Sequence, residues 1–293
     1  MMYARPDYGL PITVIRKGVT GTVLAHPPQP PTSRGYGADA RGFLSDGRGR
    51  MTGMTVTGRL ELVALDATDI VGLASFYAEL TGWQTVRNVD GWITLRAGDG
   101  QEVGFQQVAR HIAPQWPGQE RPQQVHLDLL VDGHEEAAQR AEALGATRLA
   151  DGATWITLAD PAGHPFDLCQ RDGVGPQMQL FATTIDAPDA SALARFYADL
   201  LAMEVTYDGL EGALVAGGGK SLMFQQVSDY TPPQWPDPAH PQQGHLDVIV
   251  DDADHLRAVG ARAQELGATR LADGATWITL ADPAGHPFCL SIP

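Results

Sequence analysis

The sequence predicts an α+β protein with four β-α-β-β-β units that form two bowl-shaped domains. The first observation behind this prediction is an internal duplication: the 23 residues from Leu144 to Phe166 recur letter for letter from Leu266 to Phe288. The second is that each copy alternates strand-like and helix-like hydrophobic periodicity. The third is that Asp-Gly and Gly-Asp-Gly turns separate the short strand-like stretches.

The first unit shows the pattern in order. The stretch LELVALDA, residues 60–67, alternates as a strand does, and IVGLASFYAEL, residues 70–80, has the apolar spacing of an amphipathic helix. Thr68 and Asp69 are N-cap candidates for this helix, and Gly82 ends it. The three stretches WQTVRNV, GWITLRA and QEVGFQQV then predict three short strands.

The same plan restarts three times. After a proline-rich loop it begins again at VHLDLLV (residues 125–131), and the second copy repeats both units from MQLFATTI and HLDVIV. One helix covers only one face of a sheet, so two units must pair, which leaves a concave inner face. We therefore expect one domain over residues 58–172 and another over residues 177–293, each with two units. Alternation along β-strands places His126 and Asp128 on the concave side.

Residues 1–57 lack sustained periodicity and contain the proline- and glycine-rich stretch HPPQPPTSRGYG. This composition predicts a flexible leader. The alternative is that translation begins at Met51 or Met54 and that the leader is a mis-called start.

Charge and cysteine content narrow the function classes. The chain of 293 residues has a net charge of −15; residues 1–54 hold seven basic and three acidic residues, and the remainder holds 13 basic and 32 acidic ones. The strongly negative charge of the residues after 54 disfavours nucleic acid and anionic membranes as partners. The two cysteines occupy different positions in the two copies, which disfavours a structural disulfide and fits the cytoplasm. We expect a small-molecule ligand, and either a monomer with internally paired units or a homodimer.

Polar and aromatic residues that recur in both copies are the candidates for a ligand pocket. Imidazoles titrate near neutral pH, carboxylates can orient them, and a tryptophan in a loop can cover a planar ligand. The alternative for each is structural: a histidine hydrogen-bonded to its neighbouring aspartate, or a tryptophan that anchors a loop. The candidates are His126, Asp128, Gln106, Trp116, His245, Asp247, Gln225 and Trp235. No catalytic residue is assigned, because no Ser or Cys nucleophile recurs.

Several stretches carry a resemblance to a known family: SFYAELTGW, RFYADLLAM, HLDL, HLDV, and ADPAGHPF followed by Asp167 or Cys289. In these stretches the sequence resembles the vicinal oxygen chelate superfamily of glyoxalases, bleomycin-resistance proteins and extradiol dioxygenases. The resemblance covers residues 58–293, and the two copies look like tandem glyoxalase-like domains.

The resemblance implies where a divalent metal would be bound. Those places fall at Leu62, His126, Gln106 and Asp167 in the first copy and at Ala182, His245, Gln225 and Cys289 in the second. Leu62 and Ala182 cannot ligate an ion, and Cys289 differs from Asp167 in ligand softness. A divalent metal is therefore expected, if at all, in the first domain, on His126, Asp167 and Gln106.

The expected function is binding of a small, partly planar organic molecule on the concave faces without a metal or other cofactor. Drug or natural-product resistance is one form of this function. The first alternative is a metal-dependent lyase or dioxygenase with its site in the first domain. The second is a structural or interaction module.

Overall fold

The computed structural model describes residues 56–118 and 120–293. The leader predicted over residues 1–57 lies, apart from its last two residues, outside the described residues. No helix in the described part of the chain is long and apolar enough to cross a membrane.

The described residues form sixteen strands and four helices in four β-α-β-β-β units, so the predicted fold class is confirmed. The first unit contains β1 (Arg59–Ala67), α1 (Ile70–Thr81), β2 (Gln84–Val89), β3 (Trp92–Arg96) and β4 (Glu102–Gln107). The second contains β5 (Val125–Val131), α2 (His134–Ala143), β6 (Thr147–Asp151), β7 (Trp155–Ala159) and β8 (Pro165–Gln170). The third contains β9 (Gln179–Ala187), α3 (Ala190–Leu201), β10 (Glu204–Asp208), β11 (Gly212–Gly217) and β12 (Lys220–Gln226). The fourth contains β13 (Gly244–Ile249), α4 (Ala253–Glu265), β14 (Thr269–Asp273), β15 (Trp277–Ala281) and β16 (Pro287–Ser291).

The strands form two open eight-stranded sheets. Sheet 1 has the order β14-β15-β16-β13-β1-β4-β3-β2, and sheet 2 has the order β10-β11-β12-β9-β5-β8-β7-β6. The central pairs, β1 with β13 and β5 with β9, are antiparallel. Within each unit the first and last strands lie side by side and parallel, as β1 and β4 do.

Each unit pairs with a unit of the other copy and not with its neighbour in the same copy. Sheet 1 combines the first and fourth units, and sheet 2 combines the second and third. The two domains expected over residues 58–172 and 177–293 each contain two units, but those two units lie in different sheets. The reason is that the edge of β1 is completed by β13 of the other copy, so each concave face takes residues from both copies.

The core lies between each sheet and the helices on its outer face. Alternate residues of the central strands, such as Leu127 and Leu129 on β5, are fully buried in this core, which also contains helix residues such as Phe76 and Tyr77. The intervening residues of the same strands face the concave side. The predicted division of VHLDLLV into a helix-packed face and a polar face is thus observed.

The ADPAGHPF turn of the identical block joins the two sheets. Asp160 accepts hydrogen bonds from the backbone N–H groups of Ala162 and His164, and Gly163 has a φ of 95°. The other carboxylate oxygen of Asp160 accepts a 3.0 Å hydrogen bond from the hydroxyl of Tyr77 on α1, the helix that packs on sheet 1. The second copy repeats this contact between Tyr197 and Asp282. The role of the turn is therefore structural: it connects its own sheet to the helix that packs on the other sheet.

Candidate functional site

The concave face of sheet 2 gathers one histidine and three aspartates from three neighbouring strands. His126 and Asp128 lie two residues apart on β5 and so point to the same side. Asp167 on β8 is in register with Asp128, because β5 and β8 run parallel. Asp186 on β9 comes from the other copy, near His126. The crossed pairing of units creates this group.

Short polar contacts hold the group in place. Nε2 of His126 lies 3.4 Å from Oδ1 of Asp128. The Thr184 hydroxyl donates to Oδ2 of Asp128 at 2.6 Å, and the Thr157 hydroxyl donates to Oδ1 of Asp167 at 2.5 Å. Each carboxylate thus keeps one oxygen free of these hydroxyl contacts.

Burial and mutual charge shift the protonation equilibria of the group. Burial opposes the charged form of His126, but Asp128, Asp167 and Asp186 outweigh it and raise the pKa of the imidazole to about 9. Burial raises the pKa of Asp186 to about 6, although His126 and a hydrogen bond from Gln123 lower it. Burial also raises the pKa of Asp167, with Asp128 adding to the effect. The three aspartates therefore place more negative charge around His126 than the one imidazole can neutralise, in a region from which water is largely excluded.

Three of these side chains fit a divalent metal ion. His126, Asp128 and Asp167 each present one donor atom, and the three atoms lie within 4.8 Å of one another. Within the described residues it is the one such group of His, Cys, Asp or Glu. Nδ1 of His126 is buried without a hydrogen-bond partner. One imidazole nitrogen and two carboxylate oxygens are donors that first-row transition metals accept, so the residues present fit the ion that the resemblance implied.

The concave face of sheet 1 carries a related but different group. Nε2 of His245 lies 3.4 Å from Oδ1 of Asp247, and its Nδ1 lies 3.9 Å from Oδ1 of Asp66. That Asp66 oxygen is buried without a hydrogen-bond partner. Cys289 stands where sheet 2 has Asp167, and burial raises the pKa of its thiol to about 12. The aspartates raise the pKa of His245 against the opposing effect of burial.

The structure does not bring all of the predicted metal ligands together. Gln106 lies on β4 of sheet 1, in register with Asp66 and Trp92, whereas His126 and Asp167 lie in sheet 2. The expected set of His126, Asp167 and Gln106 is therefore replaced by His126, Asp167 and Asp128. The cause is again the crossed pairing.

The remaining predicted pocket residues fall into two groups. Gln225 lies on β12 of sheet 2, in register with Asp186, and is half-buried. Trp116 and Trp235 are half-buried in the linkers that follow β4 and β12, outside the sheets.

Several residues of the site were not predicted from the sequence. Asp186 and Asp66 are the last but one residues of the first strands of the third and first units, and Gln123 donates a 3.0 Å hydrogen bond to Asp186. A signal was available: the acid stands at the same position in LELVALDA and in QLFATTIDA, and a glutamine stands three residues before each histidine.

The walls of the two concave faces differ. A Cβ on Gly104 of β4 would lie 2.6 Å from the Trp92 ring and 3.1 Å from Leu62, so Trp92 lies across the concave side of sheet 1 against Leu62. Trp277 is 38% exposed, whereas Trp155, its counterpart in the identical block, is 9% exposed. Leu62 is buried outside the helix-packed core. Sheet 1 thus presents two tryptophan rings, Trp92 and the exposed Trp277, on its concave face.

Comparison with known proteins agrees with this architecture. Two segments, residues 62–169 and 182–291, match the model of the glyoxalase-like domain family. Glyoxalase I from Zea mays superposes with a TM-score of 0.56 at 17% identity, covering 80% of this chain and 92% of that one. A putative dioxygenase from Bacillus subtilis superposes with a TM-score of 0.53 at 12% identity, covering 80% and 85%. No curated protein matches in sequence. Because the family model matches well over half of its residues, the chain belongs to the glyoxalase-like domain family.

Proposed function

We propose that the protein binds one divalent transition-metal ion on the concave face of sheet 2 and uses it to bind a small organic molecule through oxygen atoms. The observation that carries this proposal is the convergence of His126, Asp128 and Asp167, whose donor atoms lie within 4.8 Å of one another. The proposal favours the metal-dependent alternative over metal-free binding for this face.

The electrostatics of the group support a cation at this place. Asp128, Asp167 and Asp186 surround a single imidazole, and burial penalises the charged forms of Asp167 and Asp186. A bound cation offsets that penalty.

The donor types indicate which ions suit the site. Magnesium and calcium favour oxygen ligands alone, whereas an imidazole nitrogen suits manganese, iron, cobalt, nickel or zinc. An ion of this kind, when bound, supplies Lewis-acid polarisation of a ligand oxygen. With two carboxylates and one imidazole from the protein, coordination positions remain for the oxygens of a small molecule.

The side chains around the group would orient such a molecule. Oδ1 of Asp186 accepts a hydrogen bond from Gln123, which leaves Oδ2 to accept a proton or a hydrogen bond from a ligand. Ala182, on the same strand, is buried outside the helix-packed core and gives that part of the floor a small apolar surface. We propose a metal-dependent lyase or dioxygenase reaction, the classes that the names of glyoxalase I from Zea mays and the putative dioxygenase from Bacillus subtilis carry.

A second function is favoured by the aromatic wall of sheet 1. Trp92 lies against Leu62 on its concave side, and Trp277 exposes 38% of its surface. These rings suit metal-free binding of a planar organic molecule, the function expected from the sequence, with drug or natural-product sequestration as one form. Thermal stabilisation by planar compounds that is lost in Trp92→Ala supports this function; stabilisation that survives the substitution contradicts it.

The metal proposal is tested by titrating the chelator-treated protein with Mn²⁺, Co²⁺ and Zn²⁺ in a calorimeter. The wild-type chain is expected to bind one ion. His126→Ala removes one of three protein ligands and is expected to weaken binding at least tenfold, whereas the matched variant His245→Ala is expected to bind as the wild type does. Absence of binding by the wild type, or equal loss in the two variants, would contradict the proposal.

A further inference from the structure

The polar groups on the two concave faces are nearly equivalent position by position. Each has a histidine followed two residues later by an aspartate, an aspartate from the paired unit, a threonine on the neighbouring strand and a glutamine in the preceding loop. The equivalent pairs are His126 and His245, Asp128 and Asp247, Asp186 and Asp66, Thr157 and Thr279, and Gln123 and Gln242. Two positions of the polar group differ: Asp167 is replaced by Cys289, and Thr184 is replaced by Ala64.

The histidine and the aspartate two residues later keep the same geometry in both sheets, whereas the glutamine contacts Asp186 in sheet 2 and His245 in sheet 1. In both sheets Nε2 of the histidine lies 3.4 Å from Oδ1 of the aspartate two residues later. Asp167 is in register with Asp128 across the parallel strands β5 and β8, and Cys289 is in register with Asp247 across β13 and β16. A side chain at position 289 therefore stands, relative to the histidine and the aspartate, where Asp167 stands in sheet 2.

The hydroxyl that supports Asp167 has its counterpart as well. Thr157 is in register with Asp167 and donates a hydrogen bond to it at 2.5 Å. Thr279 is in register with Cys289 on the corresponding strand pair. A carboxylate at position 289 would thus meet a hydroxyl donor already in place.

The thiol at position 289 does not substitute for the carboxylate. Among the described residues, His126, Asp128 and Asp167 bring three possible donor atoms within 4.8 Å of one another, whereas His245, Asp247 and Cys289 do not. A thiol is also a softer donor than a carboxylate and suits an ion that prefers oxygen and nitrogen donors less well. His245 and Asp247 remain as two ligands in reach of each other, one fewer than in sheet 2.

We infer that Cys289 is the residue that excludes the metal ion from sheet 1, so that a chain with nearly equivalent polar groups on two concave faces holds one ion. This inference rests on the proposed function of sheet 2 and deepens it, because it assigns the selectivity between the two faces to a single side chain. A carboxylate at position 289 completes a second site, and the loss of Asp167 abolishes the first.

The test counts Mn²⁺ ions bound per chain, from the electron paramagnetic resonance signal of the free ion. The wild type is expected to bind one ion, Cys289→Asp two and Asp167→Cys none. The control is Ser291→Asp, which adds the same charge two residues further along the same face of β16 and is expected to leave one ion bound. Cys289→Asp combined with Ala64→Thr restores the second hydroxyl and is expected to tighten the added site.

Each outcome bears on a definite claim. One ion in a Cys289→Asp protein that still melts cooperatively, or two ions in Ser291→Asp, overturns the inference and leaves the proposed function of sheet 2 intact. No ion in the wild type overturns both. If Cys289→Asp does not fold, Asp167→Cys decides, since retention of its ion contradicts the role given to this position. A thiolate-to-metal absorption band in the Co²⁺-loaded wild type would show that Cys289 is a ligand, and would also overturn the inference.

Discussion

His111 and Tyr230 occupy the same position in the two linkers and make the same contact with different chemistry. Nε2 of His111 lies 3.0 Å from the Ala162 carbonyl oxygen, and the Tyr230 hydroxyl donates to the Ala284 carbonyl oxygen at 2.7 Å. The His111 ring also packs on His164, with 4.6 Å between ring centroids. Burial, reinforced by the charge of His164, lowers the pKa of His111 to about 4.

This lowered pKa predicts a specific loss of stability in acid. Because the folded pKa lies below the ordinary value, the unfolded chain takes up a proton between pH 6.5 and pH 4 that the folded chain resists. The contribution of His111 to the free energy of unfolding is therefore present above pH 6.5 and is lost as the pH falls towards 4. His111→Tyr, which copies the other linker, is expected to lose less stability over this range. Urea denaturation at several pH values measures the difference.

The reciprocal variant sharpens the prediction. Tyr230→His places a second histidine next to His286, whose ring lies 5.9 Å from that of Tyr230. It is expected to lose more stability than the wild type between pH 6.5 and pH 4. Parallel pH profiles for all three proteins would show that these side chains do not set the acid sensitivity.

Part of the site could be predicted from residue patterns and part could not. His126 and Asp128 lie on one strand, so alternation alone places them together on the concave side. Asp186 lies 60 residues further along, and its approach to His126 depends on which units pair. The expected ligand set groups Gln106 with His126 and Asp167, and the same pairing of units is the reason that Gln106 lies in sheet 1 and the other two in sheet 2. Local periodicity carries no information on that pairing.

Helix starts are the elements that the sequence specified most directly. Asp69 accepts a 2.9 Å hydrogen bond from the Gly72 N–H at the start of α1, and Asp189 accepts a 2.8 Å bond from the Ala192 N–H at the start of α3. Gly82 adopts the left-handed conformation, with a φ of 76°, at the end of α1. The predicted cap and stop of the first helix are both observed.

Removal of either cap gives a prediction at the scale of one element. Asp69→Ala and Asp189→Ala each leave a helix N–H without its side-chain acceptor, and each is expected to lower the free energy of unfolding by about 1 kcal/mol. Asp199→Ala, on the exposed face of α3, is the control and is expected to change it by less than about 0.5 kcal/mol. Chemical denaturation measures all three; an equal effect of Asp199→Ala would contradict the capping role.

One element has different surroundings in the two copies despite an identical sequence. Trp155 and Trp277 begin β7 and β15 within the repeated 23 residues, yet Trp155 is 9% and Trp277 38% exposed. The exposure is set by the paired unit and the loops across the concave face, because the local sequence is the same. The identical sequence therefore forms the same strand in both copies, but the exposure of its tryptophan depends on the surroundings of each copy.

At the scale of the whole molecule, the four units were predictable but their partners were not. Every unit has a first strand with a free edge, and either the neighbouring unit or a unit of the other copy can complete it. The structure pairs the outer two units and the inner two. Gln124 and Gln243, in the loops before β5 and β13, exchange backbone-to-side-chain hydrogen bonds of 3.0 and 3.1 Å across the two copies.

The crossed pairing predicts that neither copy folds alone as a monomer. A fragment of residues 56–175 would leave the edges of β1 and β5 without β13 and β9. We expect this fragment to dimerise or aggregate, and to form a one-to-one complex when mixed with residues 176–293. Light scattering coupled to gel filtration measures the masses. A fragment of residues 56–175 that is monomeric and melts cooperatively would contradict the expectation.

The central claim is that one concave face of the two holds a metal ion. The most direct measurement is an anomalous-difference map from crystals of the Mn²⁺-loaded full-length protein. It is predicted to show one ion per chain, between His126, Asp128 and Asp167 on sheet 2, and none beside His245 and Cys289 on sheet 1. An ion on sheet 1, an ion away from both histidines, or no ion at manganese concentrations that saturate binding in solution would contradict the claim.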